Sequence, residues 1–230
     1  MGTEQETKIK RIPLVFDVDD VILNSCKAIV DILNNTYELA PKASEENNRD
    51  WNFTHLKRLV KEQKGIDLYD YHFLKLFETI DFWDTVEIKK EFLNLLTNQE
   101  IRRNFHIIIA STGTEENLKM KEKFLYSHLN MKDIYFLKLP FDLQQPKYDK
   151  KGINNFIDLQ KGIQIDDKYE CLDTNAKLKI LLKNNKDTKY NYVSEIREDL
   201  YIINDLAELE ELLMFIANSD NEFFLDLETI

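Results

Sequence analysis

The stretch Phe16-Asp17-Val18-Asp19-Asp20-Val21 sets two carboxylates, Asp17 and Asp19, two positions apart where an apolar run ends. Side chains two apart on a strand share a side, and like charges that close repel unless a cation or a proton compensates. Two readings stand for the pair: an acidic turn capping a helix at Asn24 or Ser25, or an oxygen-only Mg²⁺ site. Ile163-Gln164-Ile165-Asp166-Asp167 repeats the arrangement after a second apolar run. In a parallel sheet both strand ends lie on one edge, so the four acids converge. Without a counterion such a rim only adds repulsion, which makes a bound divalent metal the better account.

A third apolar run, Ile107-Ile108-Ile109-Ala110, opens into Ser111-Thr112-Gly113. The Ser111 hydroxyl, the backbone N–H groups of Thr112 and Gly113, and the positive end of a helix beginning near Thr114 could cradle a phosphate. Thr112 also stands three residues before Glu115, at capping-box spacing, with Gly113 relieving strain. Lys147, Lys150 and Lys151 precede the Asp166 run. One ammonium from this group could neutralise both the carboxylates and a phosphate, although a lysine is more often a solvated surface charge; Lys150 is favoured.

These groups need a frame. Strand-length apolar runs occur at Ile12 to Phe16, Phe105 to Ala110, Ile134 to Leu139, Gly162 to Ile165, Tyr190 to Val193 and Tyr201 to Ile203. Helical periodicity fills the gaps: Leu118, Leu125 and Leu129 on one face; Ile153, Phe156 and Ile157; Leu178, Leu181 and Leu182; and Leu206 to Ile216, opened by Asp205. Strand alternating with helix predicts an α/β fold, a Rossmann-like parallel sheet with helices on both faces. Residues 25–100 break the alternation. They read as helices only, at Ala28 to Tyr37, His55 to Lys64, Leu68 to Ile80 and Val86 to Leu96, forming a helical cap inserted after the first strand. The expected division is a core of 1–24 and 101–230 around that cap. Its aromatic residues, Phe82 and Trp83 foremost, could stack on a flat leaving group, though aromatics at helical spacing usually pack in a core.

The 230 residues carry 31 Lys+Arg against 42 Asp+Glu, a net charge of −11. That balance disfavours extended nucleic acid. No run approaches the roughly 18–20 apolar residues of a membrane span, and the first residues lack the apolar stretch of a secretory signal, so a cytoplasmic protein with no membrane partner is expected. Cys26 and Cys171 lack CxxC spacing, and His55, His72, His106 and His128 show no ligand spacing; all six are expected to be structural.

Asp17-Val-Asp19-Asp-Val, Ser111, a lysine near 150 and Asp166-Asp167 together resemble, in order and spacing, the four motifs of the haloacid dehalogenase (HAD) superfamily of phosphotransferases. The likeness covers residues 12–23 and about 105–204. The helical insert, with Asp50-Trp51-Asn52-Phe53 and Phe82-Trp83, resembles the 5′(3′)-deoxyribonucleotidases more loosely. Asp20 stands where the family usually has glycine. The resemblance implies that Asp17 attacks phosphorus to form an aspartyl-phosphate, that Asp19 is general acid and then base, and that Ser111 and Lys150 bind the phosphoryl oxygens. It also implies Mg²⁺ held by Asp17, the backbone carbonyl of Asp19, and Asp166, with Asp167 behind them. The expected substrate is a small phosphate ester, foremost a nucleoside monophosphate. Alternatives are a sugar phosphate, a polynucleotide 3′-phosphate, or a HAD-like core that binds without turnover.

Overall fold

The computed structural model describes residues 11–48, 52–142, 148–184, 193 and 197–219. Six strands form one parallel sheet: β1 (Ile12–Phe16), β2 (Phe105–Gly113), β3 (Tyr135–Pro140), β4 (Ile163–Asp166), β5 (Leu178–Leu182) and β6 (Leu200–Ile203). Their order is β3-β2-β1-β4-β5-β6. The chain therefore leaves central β1 toward one edge and returns to build the other half, and ligands of such sheets bind at the carboxyl ends of the strands where the order reverses.

Period-two burial explains the layers. Phe105, Ile107 and Ile109 of β2 join the larger apolar cluster on one face, whereas Ile108 and Ala110 join Val15, Ile153 and Leu159 on the other. Phe16 pairs in register with Ile109 on one side and Ile165 on the other. The Asp17 N–H donates to the Ile165 carbonyl at 3.0 Å, carrying the ladder one residue further. This register sets Asp17 beside the last residue of β4, Asp166.

The leucine-rich stretch at Leu178, expected as a helix, is strand β5. All five residues, Leu-Lys-Ile-Leu-Leu, are buried between β4 and β6. A strand covered on both faces loses the alternation that distinguishes it from a helix, and five residues suit a strand better. Lys179 is tolerated there because it pairs with Asp199 at 2.5 Å. Of the strand expected at Tyr190 to Val193, residues 190–192 lie outside the described residues, and Val193 belongs to no strand.

Between β1 and β2 the described chain is helical: α1 (Ser25–Thr36), α2 (Thr54–Lys64), α3 (Asp70–Leu76), α4 (Ile80–Thr85), α5 (Lys90–Thr97) and α6 (Gln99–Asn104). The single helix expected from Leu68 to Ile80 is interrupted because the Thr79 hydroxyl accepts from the Phe82 N–H at 3.3 Å and starts α4 afresh. The last expected helix begins at Lys90 rather than Val86, since Ile88 forms an antiparallel bridge with Leu23. α5 lies on the sheet, the Phe92 ring edge-on to Phe16 at 5.2 Å.

Two α-helices, α7 (Glu115–His128) and α8 (Leu206–Asn218), and three short 3-10 helices, Glu45–Asn47, Lys151–Asn155 and Tyr169–Cys171, complete the described fold; the helix expected around Ile153 and Phe156 is the second of these 3-10 helices. Asp205 caps α8 by accepting from the N–H groups of Ala207 and Glu208. The cap of α7 is Thr114, whose hydroxyl accepts from Asn117 N–H at 3.2 Å, not the expected Thr112; β2 runs on through Gly113 and keeps Thr112 extended. Among the described residues no helix is long and apolar enough to cross a membrane.

Candidate active site

A cavity of about 500 Å³ opens at the carboxyl edge of the sheet, within the size range of small-molecule sites. Its floor holds Asp17, Asp19, Lys150, Asp166 and Asp167; Thr112, Gly113 and Thr114 form one wall, and α3 contributes Asp70, Phe73 and Leu74.

Lys150 occupies the middle of the floor. It is 3% exposed, and its ammonium bonds to Asp17 Oδ1 and, at 2.7 Å, to Asp166 Oδ2. Asp166 Oδ1 in turn accepts from Lys168 N–H at 2.9 Å, which fixes the carboxylate plane. Of the other two lysines considered, Lys151 has an exposed side chain 4.0 Å from Asp173, and Lys147 lies outside the described residues. Burial pushes the Asp17 carboxyl up to about 7, with Asp166 and Asp19 adding repulsion against the pull of Lys150. For Lys150 burial works against the charge, but Asp166 and Asp17 outweigh it and hold the ammonium above its ordinary value. Lys150 is thus held in its charged form.

Asp17, Asp166 and Asp167 are all buried, and each offers a carboxylate oxygen within 4.8 Å of the others. Three hard oxygen donors beside one ammonium suit a divalent cation such as Mg²⁺. The Asp19 carboxylate is directed elsewhere: Oδ1 accepts from Ser25 Oγ at 2.8 Å, and Oδ2 is held by the Lys121 ammonium. Among the expected ligands Asp19 could therefore contribute its backbone carbonyl, as the resemblance had it, and not its side chain.

Ser111 is 1% exposed and stands behind the wall, its Oγ 2.8 Å from Lys121 Nζ and 3.3 Å from the Thr112 carbonyl. The wall itself is Thr112 to Thr114. Gly113 leaves room for the buried Asn117 side chain, since a Cβ there would come 2.2 Å from Asn117 Oδ1 and displace it. Asp20, where a glycine was expected, adopts φ +54°, a left-handed conformation that aspartate tolerates. Its carboxylate accepts from Cys26 N–H at 2.9 Å, and burial pushes it up to about 6.

Phe82 and Trp83 do not reach the cavity. Phe82 is fully buried and Trp83 is 9% exposed in the apolar core, with Trp83 Nε1 donating to the Phe77 carbonyl at 2.8 Å. Both belong to α4, whose inward face packs into the core, so their position just before an expected helix was misleading. The aromatic lining comes instead from Phe53, Phe73, Phe77, Phe141 and Tyr148. Phe53 and Phe73 stack at 4.5 Å and 5°, and Phe77 rests on Phe82 at 4.6 Å. Cys171, expected as a packing residue, also lines the cavity; burial pushes its thiol well up, with Asp166 adding to the effect. Asp50 and Trp51 lie outside the described residues.

Lys121 was not identified from the sequence. It is 1% exposed on α7, three residues after Leu118 and four before Leu125, inside the apolar stripe. A lysine in a buried stripe is rare unless paired, and that placement was the signal available.

No family model matches the chain, and no curated protein matches it by sequence. Solved structures do. A structure described as a predicted phosphatase from Clostridium acetobutylicum aligns with TM-score 0.56 at 14% identity, over 89% of this chain and 99% of its own. One described as a predicted phosphoglycolate phosphatase from Haemophilus somnus gives 0.52 at 13%, over 90% and 99%. A Bacillus subtilis protein, described as HAD-hydrolase YfnB and bound to magnesium, gives 0.54 at 15%, over 89% and 99%. With its six parallel strands and surrounding helices, the chain has the α/β fold of HAD-type phosphatases and hydrolases.

Proposed function

We propose that the protein is a Mg²⁺-dependent phosphomonoesterase acting on a small phosphate ester, foremost a nucleoside monophosphate, as in the 5′(3′)-deoxyribonucleotidases. The observation that carries this reading is the buried Asp17–Lys150–Asp166 arrangement, with Asp167 beside it, at the base of a cavity. A carboxylate attacks a phosphate dianion only where positive charge cancels their repulsion, and Lys150 supplies part of that charge at the attacking atom.

Asp17, Asp166, Asp167 and the Asp19 backbone carbonyl would hold Mg²⁺. When bound, the ion would neutralise phosphate charge and help orient the ester. An Asp17 oxygen forms the new bond to phosphorus while the bond to the leaving oxygen breaks. A protonated Asp19 gives its proton to that oxygen, releasing an alcohol. The resulting Asp19 carboxylate then takes a proton from the water that attacks the aspartyl-phosphate, freeing Asp17 and inorganic phosphate. Lys150 stays protonated throughout. Thr112 and Gly113, with Ser111 behind them, would surround the phosphoryl oxygens.

The leaving group would occupy the part of the cavity lined by Phe53, Phe73, Phe77, Phe141 and Tyr148. An aromatic lining of this kind favours a nucleobase over a carbohydrate. The helices between β1 and β2 would act as the cap over the site. The similarity to a structure described as a phosphoglycolate phosphatase favours a second reading, a smaller phosphate ester of the sugar-phosphate or organic-acid kind.

Phosphate release from the purified chain decides between them, using ribo- and deoxynucleoside monophosphates, sugar phosphates and phosphoglycolate, each with Mg²⁺ and with EDTA. The expected outcome is Mg²⁺-dependent turnover highest on a nucleoside monophosphate. Preference for phosphoglycolate or a sugar phosphate would select the second reading. No turnover with any ester, from protein whose melting temperature rises with Mg²⁺, would leave a binding protein.

A further inference from the structure

Resting on the phosphatase reading above, we infer that Lys121 is the positioning residue for proton transfer: it holds the Asp19 carboxyl and the Ser111 hydroxyl in register with the phosphoryl group. It has no part in the four motifs that drew attention to the site. Its ammonium, fully enclosed, is shared between Asp19 Oδ2 and Ser111 Oγ, the latter at 2.8 Å, and lies 5.3 Å from the Phe77 ring centre.

The donor inventory gives these bonds a direction. A lysine ammonium only donates, so Ser111 Oγ must accept from it, and the serine proton is left to point elsewhere. In the structure it is offered to the Thr112 carbonyl at 3.3 Å, a long bond that a phosphoryl oxygen could replace. Asp19 is gripped at both oxygens, by Ser25 Oγ at 2.8 Å and by Lys121, so its carboxyl plane cannot rotate freely. A group that gives a proton to the leaving oxygen and later removes one from water must keep the same orientation in both steps.

The purpose of such a residue is visible in the leaving group. An aryl ester with a good leaving group departs without receiving a proton, whereas an alkyl ester needs one. Turnover of a nitrophenyl phosphate and of an alkyl phosphate is therefore compared in the wild type, Lys121→Met and Asp19→Asn, after circular dichroism and melting temperature confirm folding. The expected result is a loss in kcat/KM of roughly a hundredfold on the alkyl ester and less than about tenfold on the aryl ester for Lys121→Met. In the Asp19→Asn background the same substitution should add no further leaving-group-dependent loss. Equal losses on both esters would overturn the inference and make Lys121 a structural or phosphate-binding cation. Should Lys121→Met fail to fold, Lys121→Gln, which keeps a donor but no buried charge, is read by the same criterion. A wild type that turns over neither ester, with Mg²⁺ present, fails the phosphatase reading itself and takes this inference with it.

Discussion

Lys150 and Asp166, sixteen residues apart in sequence, meet at 2.7 Å in the interior, and the same ammonium binds Asp17 from the neighbouring strand end. Removing that cation leaves three buried carboxylates facing one another. Lys150→Met is expected to lower kcat/KM by roughly 10²–10³-fold and to destabilise the metal-free protein by about 3–5 kcal/mol. Steady-state kinetics and urea unfolding in EDTA measure the two effects. Unchanged kcat/KM would remove Lys150 from the proposed phosphoryl-binding groups.

The wall of the cavity depends on a missing side chain. A Cβ at Gly113 would meet Asn117 Oδ1 at 2.2 Å, and the amide nitrogen of Asn117 reaches the Phe77 carbonyl at 3.4 Å. Gly113→Ala should cost roughly 1–3 kcal/mol by overpacking and raise KM. Combining it with Asn117→Ala, which vacates the space, should recover much of the stability in thermal unfolding.

The positions of Phe82 and Phe73 make different predictions for substrate binding. Phe82 is fully buried, against Phe77 and Trp83. Phe82→Ala is expected to cost about 3–5 kcal/mol of stability while leaving KM of the folded fraction essentially unchanged. Phe73→Ala should also cost stability, since Phe73 is buried and stacked on Phe53. Because it lines the cavity, it should in addition raise KM for a nucleoside monophosphate more than for a short alkyl phosphate. Denaturant titration beside kinetics on both substrates separates the two.

Away from the site, the Asp199 carboxylate pairs with Lys179 at 2.5 Å and with Arg197 at 2.6 Å. Burial alone would raise its pKa, but bonds from Arg197 and Lys179 prevail and leave it below its ordinary value. A depressed acid stabilises the fold above its unfolded value of about 3.9, and that contribution disappears as pH falls through the folded value. Asp199 is one-third exposed, so solvent screening limits the effect to roughly 1 kcal/mol. Asp199→Asn should thus melt about 2–4 °C below the wild type at pH 7, with the gap closing below about pH 4. A gap independent of pH would mean that charge contributes nothing to this contact.

How much of the molecule could be read in advance follows from the range of the forces involved. Asp17 and Asp166 were legible because each ends a short apolar run, and parallel strands bring such ends to one edge whatever lies between them. The Asp205 cap, the helical character of the chain before β2 and the acidic rim rest on neighbouring residues in the same way. β5 was misread because burial on both faces removes the alternation that marks a strand, and Lys179 within it was explained only by Asp199, twenty residues on.

The sequence by itself determined an α/β sheet with two acidic strand ends and a hydroxyl-glycine segment leading into a helix, since periodicity and local chemistry are written in contiguous residues. Tertiary packing alone decided which basic groups serve the rim. Lys150 meets Asp17 across 133 positions, and Lys121 meets Asp19 across 102. It also decided that Phe82 and Trp83 stay clear of the cavity, while Phe53, Phe73 and Phe77, equally part of the buried core, present an edge to it. A side chain's exposure is a property of everything packed around it, and no window of neighbouring residues contains that information.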